Sequence, residues 1–133
     1  MVRAALPAAP AHAALAGGLL YALSPRVLTT LGAISSETWP VMLAPWVVLP
    51  FLRAGRLTWR DAAPSVVAVA CMGAVNATAT LAACLPAGLV LVWRRAGKAG
   101  LAWLAGCAAV SAWWIVPLLI LGRYAPPFTE FIA

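Results

Sequence analysis

Between Asp61 and Arg94 the chain carries no charged side chain, and a basic triplet stands at each end of that run: Arg53, Arg56 and Arg60 before it, Arg94, Arg95 and Lys98 after it. An uncharged stretch of that length is what a bilayer core demands. As one helix, Ala62 to Trp93 would reach about 48 Å against about 30 Å of hydrocarbon, a tilt of about 50° where ~40° is the usual limit. One helix would also put the triplets on opposite sides, although Lys and Arg gather on the cytoplasmic side. A break near Asn76 puts both inside. The pattern therefore predicts a hairpin with arms Ala62 to Val75 and Ala77 to Trp93, and a polar outer turn at Asn76, Thr78 and Thr80. Asp61 is expected to cap the first arm, with Pro64 in its first turn.

Hydrophobic residues make up 65% of the chain, against nine basic and three acidic side chains. A soluble domain carries about a quarter charged residues, so the composition is that of an integral membrane protein. The net charge of +6 sits in short groups between apolar spans, as juxtamembrane anchors do, and not on a face that nucleic acid could use. Uncharged windows run from Ala4 to Pro25, Thr38 to Leu52, Ala62 to Trp93 and Ala99 to Gly122. With the third split, the expected fold is all-α: a polytopic transmembrane bundle of about five crossings, residues 1–133 forming one region of a larger multi-span domain. Arg3, both triplets and no other basic residue then fall inside, leaving Arg26 and Arg123 outside.

Local signals fit this layout. Ser24 and Pro25 end the first span, and Val27, Leu28, Leu31 and Ile34 recur at helical spacing, as in a short segment lying in the outer interface. Ser35 or Ser36 begins the next descent, with Pro40 in its first turns. Pro45 and Pro50 are expected to kink that helix, and Pro86 and Pro117 sit similarly in later ones.

Three polar segments meet at the outer face under this topology: Ser24 to Trp39, the turn at Asn76, and Gly122 to Glu130. Glu37 reads equally as a first-turn carboxylate favoured by the helix dipole or as a cavity group that binds a sugar hydroxyl or moves a proton. Arg26 and Arg123 read as interfacial side chains or as planar forks for a phosphate. The seven tryptophans fall mostly near span ends, where the aromatic belt explains them, with Trp113 and Trp114 the exceptions. Cys71, Cys84 and Cys107 have no partner at metal or redox spacing and read as small apolar residues. His12 stands alone, so neither a metal site nor a cofactor is implied.

The stretch from Tyr21 to Pro40, Tyr-Ala-Leu-Ser-Pro-Arg-Val-Leu-Thr-Thr-Leu-Gly-Ala-Ile-Ser-Ser-Glu-Thr-Trp-Pro, resembles the actinobacterial membrane α-(1->3)-arabinofuranosyltransferases. Met72 to Ala77, Trp113 to Leu119 and Leu121 to Phe128 resemble the same family. The resemblance implies a piece, internal or N-terminal, of a GT-C type glycosyltransferase in the plasma membrane. Such an enzyme moves arabinofuranose from decaprenylphosphoryl arabinose to arabinogalactan and lipoarabinomannan on the outer face. Its expected partners are membrane lipids, the lipid-linked donor, a glycan acceptor and the rest of the full-length transferase. Arg26, Glu37, Trp39, Asn76, Arg123 and Tyr124 would line or support the outer cavity, with Glu37 the candidate catalytic group. GT-C enzymes also carry a catalytic acidic residue in their first outer loop, and nothing before Tyr21 matches it, so the chain alone is not expected to catalyse transfer. A carrier, channel or purely structural subunit is the alternative, suggested by proline-broken helices with polar turns.

Overall fold

A computed structural model describes residues 8–25, 27–29, 35–52 and 56–124, the side chains of 35–37 not among them. Every regular element among the described residues is helical. In chain order these are α1 (Ala11–Ala22), α2 (Ser35–Val48) with a 3-10 extension (Leu49–Leu52), a 3-10 turn (Trp59–Asp61), α3 (Ala62–Met72), α4 (Ala77–Trp93) and α5 (Gly97–Tyr124). One of them, α5, is long and apolar enough to cross a membrane; Ala11–Ala22, Thr38–Leu52 and Ala77–Trp93 are apolar but shorter.

The long uncharged run is broken where the sequence predicts. Helix α3 stops at Met72 because Gly73 takes φ 64°, a left-handed value that glycine adopts at little cost. Asn76 then starts α4, its backbone extended and its Oδ1 accepting the Ala79 N–H at 2.9 Å. Asp61 departs from expectation. Its carboxylate accepts the Thr58 N–H and hydroxyl, both at 2.7 Å, and so closes the 3-10 turn instead of capping α3.

Prolines and helix ends leave carbonyls without an intrahelical donor, and side chains of other helices fill those vacancies. Pro45 cannot donate to Val41, and the Tyr21 hydroxyl donates to the Val41 carbonyl at 2.6 Å. Pro50 sits in the 3-10 extension, where its missing N–H would have served Val47; the Ser65 hydroxyl donates to the Val47 carbonyl at 2.6 Å. The Trp39 indole donates to Cys71 at the end of α3 at 2.6 Å, and Arg94 donates to Phe51 at the end of the 3-10 extension at 3.1 Å. Where apolar surroundings give little drive for helices to associate, such bonds and close packing do the holding.

Packing follows from small residues. Helix α2 lies against both α3 and α4, and α5 covers the other flank of α3, so the two arms of the run touch each other little. The core gathers Val47, Phe51, Ala68, Met72, Ala87 and Trp103 among others. Trp103 is not part of an aromatic belt. It is 5% exposed, packs edge-on against Phe51 with centroids 6.2 Å apart, and donates to Ser65 at 2.9 Å. Gly106 lets α5 approach α3 closely, since a Cβ there would lie 2.7 Å from Val66 Cγ2. That register, with Ser65 on Trp103, sets Met72 level with about residue 112, so 113–124 run on for about 18 Å. Their side chains, Trp113, Leu119 and Tyr124 among them, are largely exposed.

Candidate functional site

The two ends of the bundle differ in chemistry. At one end the loops carrying the basic triplets meet: Arg94 donates to Phe51, and Arg56 shares a pocket with Arg94, Arg95 and Lys98. Arg53 lies outside the described residues. Trp59 and Trp93 are exposed there, with the Arg60 guanidinium 5.3 Å over the Trp59 ring. At the other end stand the Asn76 turn, Trp39 and Tyr21.

A cavity of about 280 Å³ opens at this second end, lined by Tyr21, Ser24, Val27, Val41, Ala44 and alanines of α4. Local sequence builds it. Ser24, just past the end of α1, begins the next helical turn, accepting the Val27 N–H at 3.5 Å, with Pro25 pre-set for the first position. Thr29 donates back to the Pro25 carbonyl at 2.7 Å. Residues 25 and 27–29 are helical, in keeping with the helical spacing of Val27 and Leu28; Leu31 and Ile34 lie outside the described residues. The walls are mostly Ala and Val, and the polar atoms offered are the Tyr21 and Ser24 hydroxyls. Such a lining accepts an apolar chain or the edge of a sugar, with one or two hydroxyl contacts.

The six residues expected at the site divide plainly. Arg26 and the Glu37 side chain lie outside the described residues, although position 37 is on α2, one turn before Val41. Trp39 is half exposed and tied to Cys71; Asn76 spends its side-chain oxygen on the α4 cap. Neither lines the cavity. Arg123 and Tyr124 are exposed on the distal end of α5. Tyr21 and Ser24, which line the cavity, are not among the six. Their only sequence signal is being the polar residues that close the first apolar span. Among the described residues no three His, Cys, Asp or Glu side chains come together, and Cys71 is exposed instead of buried.

Residues 1–133 match the N-terminal GT-C domain of α-(1->3)-arabinofuranosyltransferase. The chain belongs to the α-(1->3)-arabinofuranosyltransferase family. It is 53% identical to the Mycolicibacterium smegmatis α-(1->3)-arabinofuranosyltransferase over 89% of its length, and 49% identical to the Mycobacterium tuberculosis protein of that name over 87%. It spans 9% of each of those relatives. A mycobacterial arabinofuranosyltransferase AftD solved by single-particle cryo-EM superposes with a TM-score of 0.69 at 51% identity, covering 86% of this chain and 10% of that one. The all-helical architecture is thus that of the corresponding N-terminal part of an arabinofuranosyltransferase.

Proposed function

We propose that this chain supplies membrane helices of the N-terminal GT-C domain of a plasma-membrane arabinofuranosyltransferase that works on the outer face. The donor is decaprenylphosphoryl arabinose and the acceptor a hydroxyl of cell-wall arabinan. The observation that carries the orientation is the meeting of the two basic loops at one end through Arg94 and the Phe51 carbonyl. By the positive-inside rule that end is cytoplasmic, and the Asn76 turn faces out. Helix α4, at about 25 Å, is about 5 Å shorter than the hydrocarbon, and the longer α5 runs on beyond its outer end. In this reading the chain makes five crossings, with α1 and α3 the shortest helices.

In this reading an acceptor oxygen attacks C1 of the arabinofuranose, the C1–O bond to phosphate breaks, and decaprenyl phosphate leaves. Glu37 takes the acceptor's proton, and Arg26 or Arg123 neutralises the phosphate. Trp39 and Asn76 act as positioning residues, because their polar atoms already hold α3 and α4. Tyr124 extends the outer rim. The carrier alternative needs free carbonyls at broken helices to bind ions, and those of Val41 and Val47 are already taken.

The test restores the full-length gene in a conditional knockout carrying Glu37→Gln or Arg26→Ala. Loss of a general base lowers transfer by about 10²-fold or more, so arabinan branching collapses with Glu37→Gln and falls with Arg26→Ala. Normal branching in both would remove the assigned roles.

A further inference from the structure

An apolar groove of about 500 Å³ lies between α4 and α5 at the basic end, walled by Gly88, Leu91, Val92, Leu101, Trp103 and Leu104. Beside it opens a second pocket of about 360 Å³, lined by Arg56, Arg94, Arg95 and Lys98. Arg95, Ala96 and Gly97 line both, so groove and pocket join at the α4–α5 turn. Neither is lined by a carboxylate.

The turn itself carries an independent sign. The Ala96 N–H bonds to the Leu91 carbonyl and the Arg95 N–H to Val92, both at 3.0 Å, which is the Schellman pattern. Its left-handed position is normally glycine, because a Cβ is disfavoured there. Arg95 occupies it, at φ 50°. A guanidinium is thus kept at a backbone position that favours having no side chain.

We propose that this junction binds an anionic phospholipid of the cytoplasmic leaflet, its phosphate held by Arg56, Arg95 and Lys98 and one acyl chain lying in the groove. Arg94, already donating to Phe51, forms part of the pocket wall. A soluble anion would use the pocket and leave the groove empty, whereas a phospholipid matches both halves and their order from headgroup depth to hydrocarbon. The groove rim is apolar and open: Val92, Leu101 and Leu104 are 77%, 71% and 60% exposed. The proposal rests on the membrane orientation given above.

The full-length transferase, purified in mild detergent, is incubated with phosphatidylglycerol or phosphatidylcholine, and bound lipid is counted by native mass spectrometry. Wild-type protein retains phosphatidylglycerol in preference, and Arg95→Gly with Lys98→Gln lowers that retention by about 30-fold. Glycine is at home at position 95, so the turn survives. Gly100→Leu fills the groove, where an added Cβ meets no atom within 4 Å, and lowers retention of both lipids. Thr78→Ala, at the far end, changes nothing. Equal retention of the two lipids by wild type, or a preference that survives the double change, overturns the proposal. Retention unaffected by Gly100→Leu overturns the acyl-chain half. Carbonate-washed membranes that still hold the variants keep the membrane reading intact when the lipid preference fails.

Discussion

Pro45 removes one hydrogen bond from α2, and the Tyr21 hydroxyl, twenty-odd residues earlier, makes up for it at the Val41 carbonyl. The two residues form one device. Tyr21→Phe leaves that carbonyl unpaired, whereas Pro45→Ala gives it back an intrahelical donor and releases the hydroxyl. A double-mutant cycle on the detergent-solubilised protein should therefore show coupling of about 1 kcal/mol, with Tyr21→Phe costing less once Pro45 is Ala. Additive changes would mean that the bond contributes nothing. The released hydroxyl would still line the outer cavity, so the Pro45→Ala variant also separates Tyr21's holding task from any contact with substrate. Ser65 plays the same part deeper in the bundle, giving its proton to Val47 and accepting from Trp103, and so joins α2, α3 and α5 at a single buried hydroxyl.

At the level of helices, the contact between α3 and α5 depends on Gly106. Its missing Cβ would meet Val66 Cγ2 at 2.7 Å and Cγ1 at 3.2 Å, and a valine on a helix has one favoured rotamer to offer. Gly106→Ala must therefore push the helices apart, at about 1–3 kcal/mol. It lowers the thermal midpoint of the solubilised protein, and Val66→Ala in the same chain restores most of it; no change from Gly106→Ala would show that the helices can give way. The break between α3 and α4 was legible because the length of the run, two basic triplets and the polar residues at 76, 78 and 80 agree on it along the chain. The partner of each helix was not. A hairpin suggests two arms packed together, yet α2 lies against both, a matter of which small residues match in space. Trp103 reads as belt residue in a chain with seven tryptophans, because nothing local distinguishes an indole that will find Ser65 from one that will meet an interface. The candidate site was legible only as a segment: Tyr21 to Pro40 was marked, but the lining residues within it depend on how Ser24 and Pro25 turn the chain.

The whole molecule reads as an inside-out fragment. Leucines at 15, 19, 20, 81, 85, 89, 101 and 104 are more than half exposed, and the side chains of the distal half of α5 are mostly exposed, as expected of helices that meet lipid or the remaining nine-tenths of a transferase. Every functional proposal depends on which way this bundle faces. Cysteine labelling decides it directly: in intact cells expressing the full-length protein with Cys71, Cys84 and Cys107 replaced, single cysteines are placed at positions 76 and 94 and challenged with a membrane-impermeant maleimide. The account predicts labelling of position 76 from outside and of position 94 only after permeabilisation. Position 94 labelled in intact cells, or position 76 protected until the membrane is opened, would contradict it.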